Sequence, residues 1–427
     1  MFIIIAIIAL LLFAYYVLGY ANKSIFETPS IGQITFFRDC LFLTLVPYLF
    51  YLASDRYLEH YILQSANYNA FIQAAIHAFI FILLLLIFYK IFYSLFSSRI
   101  KKIRVKIYQK KIYFYLKTLT LIFLFFIIYF TAKYDAGPLG LVKFNLIELN
   151  SLRAKLSQSS GFLSFIKIVI KQWIPMLSYL WFYFYLGKKD FRKSEKAFLL
   201  ISFLMGLCAS VWYFEKGVIV FYLFGFVGVY VFSGGKLNKK IVLLSTLGAF
   251  FLAGIMYILV YQDKIIDSKY LFDILVHRTF SQCVGSVMAV EYFTEHSPLG
   301  FSGVSNLLAN ISGEKFSSPY GVLIDYYVPQ TMDESGAMSS FAVGEAFGLF
   351  GYFGVFISGI IAALYFAFFE ASKHSKFTAA IFVPIYAIFF SHFILASTFY
   401  SFVWPVGLVY AITPFCLITI LSSKHKA

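Results

Sequence analysis

Between Ala70 and Phe96 the chain carries a single charged side chain, Lys90, over a length greater than the roughly 20 residues a helix needs to cross a bilayer. Inside lipid the backbone must satisfy its own N–H and C=O groups, so a run like this can only be helical. The pattern recurs along the whole sequence. It predicts about eleven membrane-crossing helices, centred near residues 11, 44, 83, 122, 176, 206, 225, 251, 359, 388 and 412. The expected fold class is an all-α polytopic membrane protein, with residues 1–427 forming one integral-membrane domain. The second span is the weakest of the set, because Arg38 and Asp39 sit at its start. The first, Met1 to Tyr20, has no basic leader and no small-residue cleavage site, so it reads as a retained span.

Charge decides the orientation. Only 13% of the residues are charged, against roughly 25% in soluble domains. A formal charge of +15 would suggest nucleic acid in a soluble chain, but here the cations sit in short loops between apolar runs. There they act as topology signals, and nucleic acid is not expected as a partner. The clusters are Arg99 to Lys111, Lys188 to Lys196, Lys236 to Lys240, Lys373 with Lys376, and Lys424 with Lys426. Alternating threading of the predicted spans puts all of them on one side, which must be cytoplasmic. The four cysteines show no CxxC spacing, and neither a metal site nor a disulfide framework is suggested.

Two long connections then face outward, about 132–165 and 263–340. In the first, Lys133 to Pro138 reads as a turn, and Val142, Leu146, Leu149, Leu152 and Leu156 follow at helical spacing. That spacing predicts a helix lying in the outer interface. The second opens on a helical pattern around Leu271 to Arg278 that continues through Met288 to Tyr292. Gly300 to Pro329, rich in Gly, Ser, Pro and Asn, is expected to be irregular. Polarity gives way to membrane at Gly344-Glu345, where Gly344, Gly348 and Gly351 share one helix face that a neighbouring helix can approach.

The outward-facing charges are the candidate chemistry. Arg153, Arg278, Lys171 and Lys216 are cations beside a membrane surface. Arg grips phosphate oxygens with a planar fork and Lys offers a point charge, so this set suits a lipid-linked pyrophosphate. A carboxylate at membrane depth is costly, which makes Glu345 a candidate general base or a partner for Arg278 or His296. His277 and His296 are alternative bases. Tyr292, Tyr320, Tyr326 and Tyr327 are placed to stack on sugar rings or to anchor the interface. The outer loops hold no Asp-x-Asp pair, and the chain has no phosphate-binding P-loop and no serine-hydrolase elbow. These absences argue against a metal-dependent sugar transferase, an ATPase and a serine hydrolase.

The many spans, the Phe- and Tyr-rich composition and the two large outer loops resemble the Wzy-type O-antigen polymerases. The Glu215-Lys216-Gly217 turn and the Gly344-Glu345-x-x-Gly348-x-x-Gly351-x-x-Gly354 segment are similar to that group as well. The resemblance implies a GT-C-like, metal-independent glycosyltransferase of the bacterial inner membrane, working at the periplasmic face without a cofactor. Its substrate would be an undecaprenyl-pyrophosphate-linked oligosaccharide. Membrane lipids and a chain-length regulator protein would be its partners. Family members depend on arginines in the two large loops, and Arg153 and Arg278 stand at the matching positions; the family's Arg-to-Gly spacing is not reproduced after either. An O-antigen ligase, a lipid-linked oligosaccharide flippase and a non-catalytic assembly factor share enough of these features to remain alternatives.

Overall fold

The protein is described by a computed structural model. It covers residues 11, 13–17, 19, 29–54, 66–100, 109–144, 148–149, 151–152, 156, 162–187, 191–212, 218–238, 240, 243–244, 247–248, 251, 283–327, 342–373, 379–391, 395 and 406–422. Among these residues the structure is helical, with no strand. The described helices at Ile31–Tyr51, Tyr68–Ile100, Lys110–Lys143, Lys193–Val211 and Ala342–Ser372 are long and apolar enough to cross a membrane. The chain is therefore an all-α membrane protein.

The first long helix, α1, begins α-helical at Ile31–Thr35, widens to a π-helix at Phe36–Leu45, and closes α-helical at Val46–Ser54. Its successors are α2 (Tyr68–Ile100), α3 (Gln109–Tyr134) and a short α4 (Pro138–Lys143). Helix α5 is again composite: Phe162–Ile168, a π-helical Val169–Trp173, and Ile174–Gly187. Then come α6 (Lys193–Val211) and α7 (Val218–Phe232). Both π-helical segments stop two residues before a proline, Pro47 and Pro175. A proline ring clashes with the carbonyl four residues back and donates no hydrogen bond. Widening the preceding turn moves that carbonyl aside.

The directions of the helices follow from which side chains meet. Helix α11 (Ala342–Ser372) runs parallel to α2: His77 meets Phe347 and Tyr352, Gly359 lies against Phe81, and Phe96 meets Phe368. Helix α1 runs the other way, with Tyr51 near Phe71 at one end and Gly32 against Tyr89 at the other. Helices α5 and α7 are parallel through Tyr179–Tyr222 and Phe182–Phe226. Helix α6 is antiparallel to α5, with Phe198 stacked on Trp181. Helix α12 (Ala379–Ser391) reverses after α11 and packs antiparallel to α7 through Phe232–Tyr386 and Gly228–Phe390. The last helix, α13 (Val406–Ser422), touches α5 where the Trp173 indole donates to the Tyr410 carbonyl. Arg99, Lys110, Lys196 and Lys373 consequently gather at one end of the bundle, the inner end on the reading of the loop charges.

Arg38 and Asp39, the residues that weaken the second span in the sequence, neutralise each other. The Arg38 Nε and Nη2 donate to the two Asp39 carboxylate oxygens at 2.6 and 3.1 Å, and Nη1 donates to the Phe390 carbonyl at 2.6 Å. Glu370 plays a comparable structural part at the inner end. Its carboxylate accepts the Ile31 backbone N–H at 2.8 Å, while Ser30 and Gln33 form a reciprocal capping box at the same helix start.

Candidate functional site

The end of the bundle opposite Arg99, Lys110, Lys196 and Lys373, the outer end on the same reading of the loop charges, is built from the second long connection, and its central piece is α8 (Val284–Glu295). Residues Val284 to Val290 are all buried, so this helix lies in the packed core of the outer cap. The stretch expected to be irregular at Gly300 to Pro329 holds three short helical segments up to Tyr327, with Glu314 to Ser318 irregular between them; Val328 and Pro329 lie outside the described residues. A 3-10 turn at Gly300–Gly303 leads to α9 (Asn306–Ser312) and α10 (Pro319–Tyr327). The Ser, Gly and Pro residues that read as coil are helix punctuation. Ser305 Oγ accepts the Leu308 N–H, Gly313 closes α9 at φ +74°, and Pro319 opens α10.

A second correction concerns the glycine-rich entry to α11. Gly351 has φ +59° and ψ −145°, so it breaks the helix and separates residues 342–350 from the body of the span. A Cβ on Gly354 would sit 2.0 Å from the Ala346 carbonyl oxygen. Gly351 and Gly354 therefore serve this break, whereas the close approach of a neighbour expected at Gly348 is real: Leu299 donates to its carbonyl at 3.0 Å, and a Cβ there would meet the Phe293 ring at 2.8 Å. In the first long connection Leu141 and Leu149 are buried together with Val211 and Ile219, while Val142, expected on that apolar face, is 87% exposed. The positive φ of Gly137, at which α4 begins, turns the chain so that Leu141 faces inward.

At the end of α8 an aromatic group faces outward. The exposed His296 ring stacks on Tyr292 with centroids 4.0 Å apart and planes within 6°. Its Nδ1 lies 2.8 Å from the Tyr292 carbonyl. A carbonyl only accepts, so Nδ1 carries the proton in this bond, which leaves Nε2 as the ring nitrogen that holds a lone pair whenever the ring is neutral. Tyr326 meets the Tyr292 ring edge-on at 5.1 Å and Tyr327 at 4.9 Å. Glu291, one residue before Tyr292, accepts the Asn67 backbone N–H at 3.0 Å and the Tyr327 hydroxyl at 3.4 Å. Burial, and then the nearby Glu291 charge, raise the Tyr327 phenol above its ordinary pKa, so it stays a neutral donor. The result is a set of aromatic faces beside a carboxylate with spare lone pairs, suited to a ring with alternating apolar faces and hydroxyls.

The sequence-predicted residues fall in different places. His296 is in this group with three of the four tyrosines: Tyr292 and Tyr326 meet its ring, and Tyr327 joins through Tyr326 and Glu291. Tyr320, also on α10, packs against the hydrophobic core, as Tyr292 and Tyr327 do on their buried sides. Glu345 lies in the first turn of α11 and is only 1% exposed. The segment that carries it packs against α8 and α10 through Gly348, so the carboxylate is beneath the outer cap rather than on its surface. Lys171 is half-buried in the π-helical part of α5. Arg153, Lys216, His277 and Arg278 lie outside the described residues.

Two residues escape a reading of the sequence. Glu291 is signalled by the repeat Glu291-Tyr292 and Glu295-His296 one helical turn apart, which puts two acids on one face and the stacking pair on the next. His77 is buried in α2, between Phe347 at 4.9 Å and Tyr352 at 5.4 Å, where the break in α11 occurs. A histidine in the middle of an apolar run is its only signal. Comparison with protein-family models, characterised proteins and solved structures found no match to this chain.

Proposed function

We propose that this protein is a membrane glycosyltransferase that joins undecaprenyl-pyrophosphate-linked oligosaccharide repeat units into a surface polysaccharide, at the periplasmic face of a bacterial inner membrane. The observation that carries the reading is the aromatic group, with Tyr292 stacked on His296, Tyr326 at its edge, Tyr327 against Tyr326, and Glu291 bonded to Tyr327. Aromatic faces next to a carboxylate are what carbohydrate recognition needs, and here they sit on a bundle of membrane-crossing helices. The resemblance to the Wzy-type polymerases in span pattern and outer loops supports the same substrate class.

In this scheme an acceptor sugar hydroxyl attacks the anomeric carbon of the donor glycan. The new glycosidic bond forms as the bond from that carbon to the pyrophosphate oxygen breaks, and undecaprenyl pyrophosphate leaves with the electron pair. Arg153 and Arg278 hold the departing pyrophosphate, with Lys171 and Lys216 adding charge where it accumulates. His296 Nε2 takes the acceptor proton; Glu345 and His277 are the alternative bases. The aromatic group keeps the acceptor ring oriented toward the reacting carbon.

Complementation of a strain lacking the gene tests the reading. Arg153→Ala, Arg278→Ala and His296→Ala should each leave a lipid A-core carrying a single repeat unit; loss in Glu345→Ala with retention in His296→Ala would move the base to Glu345. Cores with no repeat unit would indicate a ligase, and normal long chains in all three variants would remove these residues from the site.

A further inference from the structure

At the opposite end of the bundle from the aromatic group, a cavity of about 570 Å³ opens laterally between α5, α6, α7 and the segment around residue 244. Its wall is apolar, formed largely by Phe182, Leu199, Phe203, Phe226, Val227 and Leu244, and its polar side chain is Lys196. Two helical stripes line it. On α6, Lys196, Leu199, Leu200 and Phe203 follow one another at helical spacing, with Lys196 at the inner end. On the facing segment Leu244 and Gly248 line the cavity, and Lys240 precedes them by one turn, so it too stands at the inner end of its stripe. Both lysines are exposed. The acid nearest in sequence, Glu195, is turned inward, where its carboxylate accepts the Arg192 backbone N–H at 2.9 Å. Among the described residues neither lysine is held in an ion pair.

An apolar slot open to the side of a membrane bundle admits a hydrocarbon chain, but the slot alone does not choose among lipids. The paired cations at one end do. Basic mouths between transmembrane helices on the cytoplasmic side select anionic headgroups. We propose that this groove is a binding site for an anionic phospholipid of the inner leaflet, with one acyl chain lying along Phe203 and Phe226 and the phosphate held by Lys196 and Lys240. The site is separate from the outer aromatic group and does not depend on the function proposed for it.

Leu200→Trp, a change at an exposed position on the groove wall, provides a reporter. The full-length variant is reconstituted in phosphatidylcholine vesicles containing a small fraction of dibrominated phosphatidylglycerol or dibrominated phosphatidylcholine. Bromine quenches an indole on contact. The difference from the parent protein should show phosphatidylglycerol favoured by roughly five-fold for each lysine, weakening with salt. Adding Lys196→Gln and Lys240→Gln should bring the two lipids level. Leu244→Trp, on the other wall, repeats the measurement if the first variant does not fold. Phe353→Trp, on the exposed outer part of α11, should show no preference. Equal quenching by both lipids at the groove would mean ordinary surrounding lipid only and would overturn the proposal. A preference that survives loss of both lysines would overturn it as well.

Discussion

Helices α2 and α11 run side by side in the same direction, and Gly359 sets how closely they do so. A Cβ built there would lie 2.6 Å from the Phe81 carbonyl oxygen, 3.0 Å from Leu84 Cβ and 3.3 Å from the Leu85 backbone nitrogen. Ordinary contact begins at 3.4 Å, and two of the three atoms belong to a helix backbone that cannot swing aside. Gly359→Ala must therefore push the pair apart along its length, loosening Phe96 from Phe368 at one end and His77 from Phe347 at the other. Overpacking of this kind costs about 1–3 kcal/mol, roughly a 5- to 150-fold shift in the folded population. In lipid there is little hydrophobic force to hold separated helices together, so lost packing is not offset. The assay is thermal unfolding of the purified protein followed by intrinsic fluorescence, with Gly187→Ala as control because nothing lies within 4 Å of a Cβ there. The Gly359→Ala midpoint should fall by several degrees and the Gly187→Ala midpoint should stay at the parent value. Equal midpoints for the two variants would refute the close parallel packing of α2 and α11.

Other changes have equally definite outcomes. Asp39→Leu alone leaves the Arg38 charge inside the bundle without its carboxylate and should destabilise by about 3–5 kcal/mol, whereas Arg38→Met together with Asp39→Leu should recover most of that loss; the same thermal assay measures both. Gly351→Ala forces a side chain onto an extended positive-φ backbone (φ +59°, ψ −145°) that glycine alone adopts readily, costing about 1–3 kcal/mol, and it should lower activity more than stability if the break in α11 positions the outer cap. Tyr327→Phe removes a long hydrogen bond to Glu291 and should cost no more than about 0.5–1.5 kcal/mol, while Tyr292→Ala should abolish glycan binding measured by tryptophan fluorescence or calorimetry.

The helical, membrane-crossing character of the chain was legible because lipid leaves a backbone so few choices. The expected centres near 44, 83, 122, 176, 206, 225, 359, 388 and 412 lie in described helices. Alternating directions read from loop lysines agree with the pairings of His77 with Phe347 and of Tyr179 with Tyr222. What escaped is local and depends on partners. Apolar periodicity carries no sign of the π-helical turns before Pro47 and Pro175, since the change lies in the backbone. A glycine series reads alike whether it admits a neighbouring helix, as at Gly348, or ends a helix, as at Gly351. Serine, glycine and proline between Gly300 and Pro329 signalled loop by composition, yet their spacing was that of caps. The tyrosines of the outer group could be named one by one, but their assembly around His296 depends on α8 and α10 meeting in space. Glu291 gains meaning from Asn67 and Tyr327, both remote in sequence.

Lengthening of lipid-linked glycans by the purified protein is the most direct test of the polymerase role. Repeat units extracted from the gene-deletion strain, which should accumulate them, supply the natural substrate whatever its sugars are. Incubated with the protein in nanodiscs and a metal chelator, they should yield a ladder of longer lipid-linked products on a gel, with undecaprenyl pyrophosphate released in step. Unchanged single units, under conditions where the protein remains folded and its lipid substrate is present, would contradict that role.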